Sequence, residues 1–157
     1  MSNAVEITAP EGQPFITIVR EFDAPVAAVW RAHVEPDLVR RWLGPHGYET
    51  RIDTFEMRSG GRYRYVQIAD GEEYAFNGVV HAADEHRRIV QTFEFEGMPD
   101  VVTLETAVFE ELGGGRTRLT GTSAFPSVEA RDGMLASGME TGVREGFERL
   151  DAILAEG

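Results

Sequence analysis

The 157-residue sequence predicts an α+β domain: a seven-stranded, curved antiparallel sheet gripping one long C-terminal helix, with two short helices between strands 1 and 2. Three observations lead there. From residue 48 onward apolar residues recur with period two, and short turn sequences separate the segments. From residue 128 the period becomes helical and stays so to residue 156. The length suits one core and hardly two.

Each element has a local reason. Residues 1–14 hold Pro10, Gly12 and Pro14 without sustained periodicity and read as a leader or ragged first strand, leaving residues 15–157 as a single domain. The run 15–22, FITIVREF, is β-branched and alternating, a strand. Asp23 then offers an N-cap and Pro25 a first-turn proline for a helix carrying Val26, Val29, Trp30 and Val34. Pro36-Asp37 opens a second short helix that Gly44-Pro45 ends. Strands follow over 48–57, 62–69, 74–82, 88–95, 101–111 and 116–123, and their short links imply an antiparallel meander. Ser127 can cap the last helix, whose apolar face carries Met139, Val143, Phe147, Leu150 and Leu154. A sheet of this size must bury one face, and only that helix is long enough to cover it.

Composition excludes more chemistry than it supports. Hydrophobic residues make up 42% and charged residues 27%, ordinary for a globular chain, but 15 basic residues against 27 acidic give −12. All fifteen basic residues are arginine, and there is no cysteine. Schiff-base chemistry, a P-loop lysine, thiol nucleophiles, disulfides and iron–sulfur or zinc–thiolate sites are therefore absent. The negative charge argues against nucleic acid, whose backbone needs cations to displace counterions. No signal-like segment opens the chain and no run approaches the ~20 apolar residues of a membrane span, so the expected setting is cytoplasmic. His33, His46, His81 and His86 show no ligand spacing, so neither metal nor cofactor is expected. No serine sits in a nucleophile-elbow setting.

Several short stretches, in order, carry a resemblance. Arg41-Trp42-Leu43-Gly44-Pro45-His46-Gly47-Tyr48, Gly60-Gly61-Arg62-Tyr63, Phe76-Asn77-Gly78-Val79 and Gly115-Arg116-Thr117-Arg118-Leu119-Thr120 are among them, spanning about residues 15–155 with their neighbours. The chain resembles the START-like (helix-grip, polyketide cyclase) superfamily, in its activator-of-heat-shock-ATPase-like branch. The resemblance implies a helix-grip domain around an apolar cavity, often with a bound small molecule, and function only by analogy.

Candidate site residues each have two readings. Trp42 and Tyr48 flank the Gly-Pro turn and could rim a pocket with His46 as a polar contact; equally, Trp42 anchors the core. Alternation puts Tyr63 with Tyr65, Tyr74 with Phe76, and Phe93 with Phe95 on common faces. Turned inward, these pairs would line a concavity suited to a ring-containing or lipid-like ligand; otherwise they fill a core. Met139, Val143 and Phe147 would close the cavity from the helix, while Gly138, Gly142 and Gly146 leave either close packing or ligand room. Residues 31–64 hold seven arginines and five acids, a local +2, so Arg40, Arg41 and Arg64 could draw an anionic head group or simply pair on the surface. No catalytic constellation follows from spacing; proton transfer would fall to Tyr63, Tyr65, Tyr74, His46 or an inward carboxylate such as Glu105.

The expected function is binding of an apolar or aromatic small molecule between sheet and helix. A cyclase- or hydrolase-like enzyme in the same pocket is the alternative, and a chaperone-ATPase interaction module, implied only by the resemblance, is the second. Self-association, if any, would be as a homodimer.

Overall fold

The computed structural model describes residues 3–157. Phe15–Phe22 forms the strand that the alternation predicts, and Glu6–Thr8 pairs along its free edge. These are β2 and β1, so the sheet has eight strands instead of the expected seven, and the N-terminal stretch before residue 15 supplies the eighth. Two short helices follow, α1 (Val26–Val34) and α2 (Pro36–Trp42). Pro36 sits at the start of α2, where its missing N–H costs nothing. Asp23 does not cap α1: Pro25 stands at the cap without a side-chain bond, and Asp23 accepts from Arg116 Nε at 2.9 Å.

The remaining strands are β3 (Glu49–Phe55), β4 (Arg62–Ala69), β5 (Glu72–Asp84), β6 (Arg88–Phe95), β7 (Thr103–Gly113) and β8 (Arg116–Ala124). All pairings are antiparallel and the order is β1-β2-β8-β7-β6-β5-β4-β3. Six consecutive strands thus form the expected meander, and β2 closes against β8.

The terminal segment is two helices, α3 (Val128–Ala136) and α4 (Met139–Leu154), and not one. Ser127 caps α3, accepting from the Ala130 N–H at 3.1 Å. The chain then breaks at Gly138, whose φ of 86° no helix interior accommodates. Only α4 has the apolar stripe that grips the sheet. Its Phe147 and Leu150 are buried with Phe22, Trp30, Trp42 and Phe109 in the main core. Phe147 meets Phe22 edge-on at 5.3 Å and stacks on Trp42 at 6.1 Å.

The glycine series resolves into different roles. At Gly146 a Cβ would stand 3.1 Å from the Trp42 carbonyl oxygen, so close packing against the end of α2 is the reason for that glycine. At Gly142 a Cβ would make ordinary contact with Pro45, and at Gly138 it would meet nothing. No described helix is long and apolar enough to cross a membrane.

Candidate functional site

Strand register decides which side chains reach the concave face. On β4, Tyr63 and Tyr65 stand opposite Phe55 and Ile52 of β3 and opposite Gly78 and Phe76 of β5. Phe76 in turn opposes Phe95 of β6. All three aromatic pairs therefore turn to the helix side. They form a continuous run of rings: Tyr65 stacks on Phe76 at 5.1 Å, Phe76 on Phe93 at 5.4 Å, and Phe95 carries the contact to Tyr74 at 6.3 Å. Tyr48 extends the run from Tyr74 at 6.2 Å.

Helix α4 covers this face unevenly. Around Phe147 and Leu150 the core is closed. Towards the start of α4, Met139 and Val143 are only half-buried, and so are Tyr74, Phe76, Phe93 and Phe95 on the inward face of the sheet. Gly121 of β8 lies on the same inward row as Ala107 of β7 and Ile18 of β2. A Cβ at Gly121 would meet only the Ile18 carbonyl oxygen, at 3.9 Å. With open space above Gly121 and only a methyl at Ala107, this row is the low point, or recess, of the inward face.

The floor of that recess is polar. Glu105 of β7 stands between Gln91 of β6 and Ser123 of β8, all inward. Gln91 Nε2 donates to Glu105 Oε1 at 3.4 Å, while Gln91 Oε1 is buried with no partner. Burial pushes the Glu105 carboxyl above the usual carboxylate range, although Gln91 and Ser123 partly offset it. Burial, with the nearby Glu105 charge, likewise holds the Tyr63 and Tyr65 phenols above their ordinary value. Tyr63 Oη donates to the Thr92 carbonyl at 2.5 Å and is spoken for.

The other sequence candidates lie apart. Trp42 is buried and its Nε1 donates to the Ala32 carbonyl at 2.9 Å, an anchor between α1 and α2. His46 is exposed on its turn, with its backbone N–H held by Glu145 at 2.9 Å. The arginine cluster does not gather at a mouth. Arg64 points to the convex side and binds Asp53 and Glu96, Arg41 binds Glu156, and Arg40 approaches Asp37. An anionic head group has no seat there.

Two inward residues escaped sequence reasoning, and both had a signal. Gln91 shares strand parity with Phe93 and Phe95, and Arg20 shares it with Ile16, Ile18 and Phe22. A polar residue on the apolar parity of a strand demands a buried partner. Arg20, only 2% exposed, finds it in Asp151 of α4 through two bonds of 2.9 and 2.6 Å.

Two depressions open elsewhere on the surface. One of about 410 Å³ borders β1 and β2, and one of about 550 Å³ lies between α2 and β3, touching the aromatic run only through Phe55. Paired charges stand in both walls, Arg118–Glu21 in the first and Arg51–Asp53 in the second. Neither is an apolar enclosure of the kind that holds a small molecule, and neither is lined by Tyr65, Phe76, Phe93 or Glu105. Among the described residues no group of three His, Asp or Glu could hold a metal ion.

A family model described as activator of Hsp90 ATPase homolog 1-like protein matches residues 23–155. No curated protein matches the sequence. Solved structures do. A Rhodobacter sphaeroides protein is 28% identical over 98% of this chain and 100% of its own, with a TM-score of 0.89. A Mycobacterium smegmatis protein is 28% identical over 96% and 97%, at 0.87. An Arthrobacter aurescens protein is 31% identical over 97% and 92%, also at 0.87.

Proposed function

The chain belongs to the activator of Hsp90 ATPase homolog 1-like family, within the START-like helix-grip fold, and from that premise we propose that it binds a ring-containing, apolar small molecule between sheet and α4. One observation carries the reading: Phe76 and Phe93, stacked in line with the buried Tyr65, face inward yet stay only half-covered. Aromatic surface left open inside a fold is costly unless something covers it, since each Å² of apolar area is worth about 25 cal/mol. Flat rings suit the offset stacking already present among these side chains.

A neutral polycyclic fluorophore titrated into the protein tests this. Saturable binding is expected, with a rise in unfolding stability of about 2.7 kcal/mol at a hundredfold excess over Kd. Gly121→Leu would fill the recess and remove that binding while the fold persists. Binding that is absent, or that ignores Gly121→Leu, would sink the proposal.

One feature favours an enzyme as the second reading. Glu105 is a half-buried, inward carboxyl whose pKa desolvation raises, the direction a general acid or base requires. Turnover of a ring-bearing ester or ketone that disappears in Glu105→Gln would support it. The chaperone role named for the family would use an exposed surface instead, and is read by ATPase stimulation.

A further inference from the structure

The floor of the recess selects for charge as well as shape. Glu105 is its carboxylate, on a central strand, flanked by Gln91 and Ser123. Gln91 spends its Nε2 on Glu105 and leaves Oε1 buried and unpartnered. Unpaired acceptors of this kind await a donor. Among the described residues the inward rows of the strands carry one guanidinium, Arg20, and Asp151 occupies both of its terminal nitrogens. A ligand carboxylate or phosphate would therefore meet Glu105 with no cation to offset it.

We infer that the ligand class is a ring-bearing amine, its protonated nitrogen paired with the Glu105 carboxylate and its ring laid on the Phe76–Phe93 stack. The inference rests on the binding reading above. Aromatic faces at the walls add cation–π attraction to the same nitrogen. The net charge of −12 draws cations towards the protein and repels anions. Desolvation disfavours an ionised Glu105, and an ammonium group is the partner that reverses this. The Tyr63 and Tyr65 phenols feel the Glu105 charge, stay neutral and cannot supply the counter-charge.

Three probes of one shape decide the matter: naphthylmethylamine, naphthylmethanol and naphthoate, titrated calorimetrically into the full chain at neutral pH. The amine is expected to bind at least tenfold more tightly than the alcohol, and naphthoate most weakly. In Glu105→Gln the amine should fall to the level of the alcohol, whose own affinity reports that the site is intact. Gln91→Leu should weaken the amine several-fold and spare the alcohol. Equal binding of all three, or an amine preference that survives Glu105→Gln, overturns the inference while leaving ring binding in place. Failure of all three to bind overturns both. The wild-type comparison decides by itself if a variant does not fold.

Discussion

The Tyr63 ring lies across Gly78, its cross-strand partner, so closely that a Cβ there would stand 2.5 Å from Tyr63 Cε2. The same Cβ would be 2.1 Å from the Thr92 carbonyl oxygen, the atom that accepts the Tyr63 hydroxyl. Gly78 is thus what lets a phenol span from β4 to β6 and begin the aromatic run. Gly78→Ala should cost about 3 kcal/mol, because the obstructing oxygen is backbone and cannot rotate away. Urea unfolding measures this. A loss under 1 kcal/mol would mean that the strand shifts freely and that the placement of Tyr63 is not fixed by the glycine.

Gly138 gives the second prediction. Its φ of 86° makes it the left-handed joint between α3 and α4. Gly138→Ala should destabilise the protein by about 1 kcal/mol, despite the open space around the position. Stabilisation instead, with more helix by circular dichroism, would show that the two helices can merge.

That joint also marks where the sequence stops being legible. Period two alone placed Tyr63 with Tyr65, Tyr74 with Phe76 and Phe93 with Phe95, because alternation is a local property of a strand. Which parity faced inward on β7, and hence where Glu105 pointed, depended on the register with Gln91 and Ser123, which is long-range. The break at Gly138 was hidden because helical spacing resumes on its far side. The strand Glu6–Thr8 has only Ile7 as an apolar residue, and exists because β2 offers an unpaired edge. Trp42 could be rim or anchor by sequence; its indole bond to Ala32 needed the packing of α1 on α2.

Arg20 and Asp151 tie β2 to the last turn of α4. Arg20 also donates to the Glu21 carbonyl at 2.8 Å and lies 4.8 Å above the Phe22 ring. Asp151→Ala strands a buried guanidinium and should cost about 3 kcal/mol, the lower end for such pairs because Asp151 keeps 32% of its side-chain surface exposed. Replacing both, as Arg20→Met with Asp151→Leu, should recover most of that loss. A double variant no better than Asp151→Ala would show that the pair contributes more than its mutual neutralisation.

His33 makes acid the weak direction of this fold. Its ring packs edge-on against Trp42 at 5.0 Å and Phe109 at 5.1 Å, and Nδ1 lies 2.8 Å from the Val29 carbonyl oxygen. Nδ1 is therefore the protonated nitrogen of the neutral ring. Burial lowers its pKa from 6.5 to about 4, although the bond to Val29 works the other way. Below pH 6.5 the unfolded chain takes up a proton that the folded chain refuses. Stability from this group is therefore complete above pH 6.5 and is lost as pH falls towards 4. The slope approaches about 1.4 kcal/mol per pH unit. Carboxylates such as Glu21 and Glu96, held low mainly by hydrogen bonds from Arg118 and Arg64, titrate at the acid end, so the comparison must be between variants. His33→Asn keeps a donor near Val29 and removes the titration. It should be less stable than the wild type at pH 7, with the gap narrowing by about 2–3 kcal/mol on going to pH 4. Chemical denaturation at pH 7, 5.5 and 4 gives the slopes, and a proton NMR titration identifies the ring. A folded-state His33 that titrates near 6.5 would contradict the sealed packing of Trp42 and Phe109 around it.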